Sequence, residues 1–377
     1  MAVPTVRRRD VLSFRVRRHE LDQPPSGARP SSALALLPYG VQDTGPDGAT
    51  WAFVVRGARP PAPEDVALLW TLRGAPHLYP RASVAVATAP YSERDAAKRV
   101  VSAAKPLRAA GVPVLDALRT IAQELRAIVT KPLAKGEVSQ RVTAALPPHF
   151  SWYCKACDAT HVSEMAFRLA ALHAGLELEP GTSPPVLRRV PRVRPPLFER
   201  LAGDADPRFD VIRNYLRFYG PARVRDVAEF LDAPRADIDA HWPTDVVEVA
   251  VRDDSSREPR FVLEEDLSEL RDAPTLDAAD VRLLGPYDPY LQGRDRELLV
   301  PDKARHKELW PVLGRPGVVL RGGEVIGTWR PRTSGRSLAL RVQLWTDLRT
   351  RARAALDEQA ALLAAHRDLR LSGVEVA

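Results

Sequence analysis

Cys154-Lys155-Ala156-Cys157, followed by His161, is the densest group of metal-ligating side chains in this 377-residue sequence. Two thiolates and an imidazole at this spacing supply three ligands for a structural Zn²⁺, with His149 upstream as a fourth. The same residues read equally as two buried reduced cysteines or as a redox pair. No other cysteines occur, too few for a disulfide framework, and we expect a cytoplasmic protein. A second group pairs Arg73 with His77, either a phosphate or base contact or a histidine that holds a hairpin together. A third consists of Arg188, Arg189, Arg192 and Arg194, set among prolines between Ser183 and Pro196. Repeated proline disfavours both helix and central strand, so these arginines ride an extended segment. Such a segment suits a phosphate backbone, or it is a solvated linker.

Charge narrows the partner. The chain carries a net +7, unevenly spread. Residues 186–225 hold 10 Lys/Arg against 4 Asp/Glu, whereas residues 226–280 hold 5 against 17. Phosphate neutralisation needs local cations, so basic segments on either side of one acidic block point to an anionic partner. With 35 prolines, the arginine richness equally fits the base composition of the genome. Hydrophobic residues at 45% and charged residues at 27% describe a globular chain rather than a disordered one. No run approaches the ~18 apolar residues of a membrane span. Arg7-Arg8-Arg9 is followed by no apolar stretch of a secretory signal.

These residues must be positioned by two to four modules, given the length. Residues 206–280 show the clearest order. Helical spacing covers 209–219 and ends at Gly220-Pro221; a second helix covers 223–231, and Pro234 opens a third reaching Trp242. Strands at 246–251 and 260–263 flank a turn at 252–255. Three helices and a hairpin make a winged helix. Residues 112–180 repeat this more weakly, with helices at 114–129, 137–146 and 162–174 and a strand starting at Leu176. In the N-terminal part, 9–19, 31–37 and 64–72 are candidate helices, although 70–79 reads alternatively as a hairpin around Arg73-Gly74. Strands at 318–320, 324–329 and 337–345 precede an amphipathic helix over 347–368 that closes the chain. The expected division is module 1 at 1–110, module 2 at 111–182, a connector at 183–205, module 3 at 206–280 and a last domain at 281–377.

Four stretches together resemble the winged-helix DNA-binding family that includes the bacterial AlkZ/YcaQ-type DNA glycosylases. They are Gly40-Val41-Gln42-Asp43-Thr44 with Arg56 beyond a helix at Trp51; Trp70 to Leu78, including Arg73-Gly74 and His77; Leu284 to Arg296; and Gly327-Thr328-Trp329-Arg330. The resemblance implies a mostly α fold of the α+β type. Tandem winged helices and a C-terminal β-barrel would form a C around a duplex-sized basic channel. It implies double-stranded DNA as partner, a monomer near the nucleoid, no required cofactor, and DNA contacts from Arg73, His77, Arg294, Arg296 and Arg330. Asp288 with Arg294 and Arg296 would hold the loop by an ion pair while one arginine faces DNA.

The resemblance also implies a catalytic pair, Gln-x-Gln or Gln-x-Asp, which positions water against an oxocarbenium-like sugar. Gln42 matches the first position and Thr44 occupies the second. Thr cannot act as a general base, and Asp43 substitutes only if its carboxylate turns inward. The bland alternative has Gln42 supporting a helix and Asp43 solvated. The leading expectation is a DNA-repair N-glycosylase acting on alkylated or crosslinked bases; the alternative is a non-catalytic DNA-binding regulator.

Overall fold

A computed structural model describes residues 2–25, 27–81, 88–191, 201–207, 209–252, 254, 256 and 258–377. It is mixed α/β rather than mostly α, with three larger sheets and one small hairpin. The first sheet is antiparallel throughout and runs in the order Val41–Gln42, Pro76–Pro80, Val66–Trp70, Leu176–Leu178, Val186–Arg189, Leu133–Ala134. Residues 64–72 are therefore not helical. Val66 to Trp70 are all buried, and a strand covered on both faces reads as a continuous apolar run that periodicity cannot separate from a helix. The hairpin around Arg73-Gly74 forms instead. Within 31–37 only single helical turns appear, at Ser31–Ala33 and Leu37–Tyr39.

The same sheet joins residues on either side of position 110 through Leu68 opposite Leu178. Part of the expected connector, Val186–Arg189, is a strand inserted between two others. Helices Val114–Ile128, Lys135–Ala145 and Glu164–His173 pack above it, with Leu118, Ile121, Leu125, Val138 and Phe167 in one core.

Residues 211–263 give helices Val211–Tyr219, Val224–Leu231 and Arg235–Ala240, then strands Val246–Val251 and Arg260–Leu263. Pro234 caps the third helix from outside rather than lying in its first turn. A partner unforeseen in the sequence is strand Thr5–Val6, which adds in parallel to the edge at Ala250 and Val251. Helix Arg8–Arg18 follows and divides its apolar residues between two cores. Val11 and Phe14 join Val249 and Val262, while Leu12 and Val16 join the C-terminal sheet.

That last sheet is a half-barrel of five strands, not a closed barrel. Val281–Leu284, Gly317–Arg321, Glu324–Ser334 and Ser337–Leu344 are antiparallel neighbours, and Arg370–Val376 pairs in parallel with Ser337–Leu344. A parallel return needs a crossover, and helix Thr350–His366 supplies it. Its Ala352, Leu356, Ala360 and Leu363 lie on one stripe and fill the concave face against Leu338, Leu340 and Val342. The helix therefore does not close the chain. No helix among the described residues is long and apolar enough to cross a membrane.

Candidate active site

Gln42 stands directly opposite His77 on adjacent antiparallel strands, so both side chains leave the same face of the sheet. The approach depends on Gly40, whose φ is +94° and where a Cβ would fall 2.4 Å from the Tyr79 ring. Gln42 and His77 line a cavity of about 350 Å³ between this hairpin and helix Val211–Tyr219. Tyr39, Phe218, Tyr219 and Phe230 form apolar walls; Asn214 and Arg73 add polar groups.

The protonation of His77 follows from its partners. Nδ1 lies 3.0 Å from the Ala75 carbonyl, which only accepts, so the proton sits on Nδ1. Thr71 Oγ1 is a further 3.0 Å neighbour of Nδ1. Nε2 then carries a lone pair, and no described group bonds to it. Burial pushes the ring down to about 3, with Arg73 adding to the effect, so it is neutral at physiological pH. The Gln42 amide donates to Thr44 Oγ1 at 3.0 Å, and no described group bonds its Oε1. Thr44 thus orients the Gln42 amide. His19 also lines the cavity, buried with neither ring nitrogen hydrogen-bonded to a described group and held well below its ordinary value by burial, Arg56 and Arg15.

Asp43 is turned elsewhere. Its Oδ1 accepts the Ala49 backbone N–H at 2.8 Å and caps helix Gly48–Val54, where Asp47 makes no side-chain cap. Gly48, at φ +47°, gives that carboxylate room, since a Cβ there would lie 1.8 Å from Oδ1. Asp47 pairs instead with Arg367.

The loop between Leu284 and Arg296 is held by its two aspartates. Asp288 takes both guanidinium nitrogens of Arg56 at 2.8 and 2.7 Å, and Asp295 receives Arg15 and Arg260. The expected pairing of Asp288 with Arg294 and Arg296 does not occur, because Arg56 saturates it. Among the described residues, Arg73, Arg294, Arg296, Arg315 and Arg330 make no ion pair. Burial, and then the nearby charges of Arg294 and Arg315, lower the affinity of Arg73 and Arg296 for their protons, Arg73 to about 10. Arg73 instead donates to the Phe230 carbonyl at 2.5 Å and stacks on that ring. Arg315 and Arg330 line a neighbouring hollow with Thr44. Arg315, His19 and Asn214 were not singled out from the sequence. Lone residues outside any motif carry no local signal, and only the fold brings them to the cavity or to the hollow beside it.

Two of the other expected basic contacts, Arg188 and Arg189, are engaged within the fold. Arg188 bonds the buried Glu177 at 3.0 Å, and Arg189 donates to the Val129 and Arg126 carbonyls at 2.8 Å. Arg192 and Arg194 lie outside the described residues. Cys154, Cys157 and His161 do converge, one ligand atom of each within 4.8 Å of the others. His149 is not among them; its ring lies against Phe150. The Cys157 backbone N–H and the neighbouring His161 ring bring the Cys154 thiol down to about 7.

The family model for AlkZ-like DNA glycosylases matches residues 55–366. The solved structure of the DNA glycosylase AlkZ from Streptomyces sahachiroi superposes with a TM-score of 0.69, covering 99% of this chain and 100% of its own, at 19% identity. At that identity the likeness speaks for the fold. No curated protein sequence matches. The matched span, more than half of the chain, includes His77, Arg73 and the arginine-bearing loop but begins after Gln42: the chain belongs to the AlkZ-like family of DNA glycosylases.

Proposed function

We propose that this chain is a DNA-repair N-glycosylase that binds double-stranded DNA as a monomer and releases alkylated or crosslinked bases, working at the nucleoid. The carrying observation is that Gln42 and His77 face one cavity, with no described group bonded to the acceptor atoms Oε1 and Nε2. A water that donates one hydrogen to each turns its lone pair outward toward C1′ of a nucleotide at the cavity mouth. As the C1′–N9 bond breaks, both electrons leave with the base. An N7-alkylguanine, already cationic, departs neutral and needs no acid. The water oxygen then bonds to C1′ and releases a proton to bulk solvent, which completes the hydrolysis. His77, buried beside Arg73, is a weak base suited to aiming the water. The dipole of Gln42 opposes the developing sugar charge.

Binding is assigned to winged helices over residues 114–189 and 211–263, arranged as a C around the duplex. The strand order supports this reading. Leu133–Ala134, Val186–Arg189 and Leu176–Leu178 are neighbours in that sequence, and Ala222, Arg260–Leu263 and Val246–Val251 repeat it. The arginines without acidic partners beside the cavity supply phosphate contacts. Thr44 at the second motif position favours a second reading, a DNA-binding protein that has lost its chemistry. Purified protein incubated with duplex containing N7-methylguanine separates them. Abasic sites accumulating above the spontaneous rate support the glycosylase, and binding without release supports the regulator.

A further inference from the structure

Helices Lys135–Ala145 and Glu164–His173 are joined by residues 146–163, which fold as the helical turn Pro148–Phe150 and the hairpin Ser151–Cys154 with Ala159–Val162. Phe150 and Val162 anchor its base in the core, but Trp152 and Tyr153 are 40% and 58% exposed. An isolated two-stranded hairpin is marginal in water, so something else must fix this one.

The tip holds a ligand set. The turn is closed by the Cys157 N–H donating to the Cys154 carbonyl at 3.2 Å. Cys154, opposite Ala159, and His161, opposite Trp152, lie on facing strands. His161 Nδ1 is 2.7 Å from the Val162 carbonyl, so Nδ1 carries the proton and Nε2 the lone pair. That Nε2 is buried without a hydrogen-bond partner among the described residues, an unfavourable state for a polar atom, and a cation shared with the two nearby sulfurs would relieve it. Thiolates with imidazole select a soft tetrahedral ion. Donors around zinc stand about 3.5–3.8 Å apart, given bonds of about 2.0–2.3 Å, so a small inward rotation of the side chains suffices. Of the two nearest carboxylates in sequence, Asp158 accepts the Tyr153 hydroxyl and Glu164 is occupied by Lys135 and Arg168.

We propose that Cys154, Cys157 and His161 bind one zinc ion, which pins the hairpin between the two helices. Both thiols release their protons to solvent as the Zn–S bonds form. The fourth position opens to solvent beside the exposed Cys157 and is filled by water. The site shares no residue with the Gln42 cavity, so its role is to hold the hairpin and its aromatic side chains.

Full-length protein, purified without a metal-affinity column under reducing conditions, should contain about one zinc per chain. Cys157→Ser and His161→Ala should lose it, whereas His149→Ala should keep it. Because ligand variants also loosen the hairpin, metal-free wild-type protein titrated with cobalt(II) gives an independent readout: a thiolate-to-cobalt charge-transfer band with tetrahedral d–d absorption. Wild-type protein without zinc that develops no such band overturns the proposal, as does a Cys154–Cys157 disulfide in the reduced preparation. Loss of zinc from His149→Ala to the same degree as from Cys157→Ser overturns the three-ligand assignment.

Discussion

Arg56 and Asp288 form a two-point ion pair in which both side chains are almost wholly sealed from solvent, 0% and 1% exposed. Arg56 comes from the segment after helix Gly48–Val54, and Asp288 from the loop that carries Arg294 and Arg296. Two further guanidinium hydrogens go to the His19 and Ala52 carbonyls. A buried charge pair with this degree of satisfaction fixes the loop against the wall of the cavity, and it frees the loop arginines from structural duty.

Removing one member should therefore be costly. Arg56→Met leaves Asp288 charged and buried, and we expect a loss of about 3–5 kcal/mol in urea unfolding. Arg56→Met combined with Asp288→Leu should recover much of that loss, because the stranded charge disappears with its partner.

The cavity pair can be separated from the cap. Gln42→Ala should slow release of N7-methylguanine by about 100-fold, the scale of losing one preorganised dipole at a developing charge. His77→Asn keeps a donor for the Ala75 carbonyl but removes Nε2, and should slow release comparably. Duplex affinity should survive both. Asp43→Ala should instead lower stability by about 1 kcal/mol through the lost cap and leave the rate per folded molecule unchanged. A large rate loss in Asp43→Ala with stability intact would return the carboxylate to the chemistry.

Salt titration distinguishes the arginines. Arg294→Ala, Arg296→Ala and Arg330→Ala should each reduce the slope of log affinity against log salt by about one, uniformly across sequences. Arg189→Ala, which removes donors to two backbone carbonyls, should lower the unfolding midpoint and leave the salt slope alone.

His77 also predicts a pH dependence of stability. Its folded-state value, about 3, lies below the ordinary 6.5, so the unfolded chain binds the extra proton between these values. Stability is then greatest above pH 6.5 and falls as the pH drops toward 3, with a slope of about 1.4 kcal/mol per pH unit from this ring. His77→Gln should flatten the decline between pH 6.5 and 5 in denaturant titrations.

The sequence made some of this legible and hid the rest for identifiable reasons. The strands Val246–Val251 and Arg260–Leu263 were read to the residue, because alternation and turn chemistry are local. Helix Val211–Tyr219 was bounded by Gly220-Pro221 as expected. Val66–Trp70 misled because burial on both faces removes periodicity, and Arg370–Val376 was missed because its pairing is with a strand across a helix. Of the cavity, Gln42 and His77 were visible as types, but their juxtaposition is a matter of strand register. Arginine function was least legible: composition shows how many cations there are, and only the coordinates show which, like Arg188, already have carboxylates.

The chain is stitched from end to end. Thr5–Val6 pairs with Ala250 and Val251, Arg8 reaches Glu324 across 316 positions, and Asp47 meets Arg367 across 320. During synthesis the N-terminal segment emerges long before Ala250 and Val251, and longer still before Glu324 and Arg367. Its apolar residues, Val11, Leu12, Phe14 and Val16, must wait in water while later modules collapse around their own helices. Closing contacts at such separation is slow, so we expect the leading helix to dock after the middle of the chain has folded. A chain cut short before Arg367 should therefore emerge as a sticky intermediate that calls on chaperones, rather than as a smaller working enzyme.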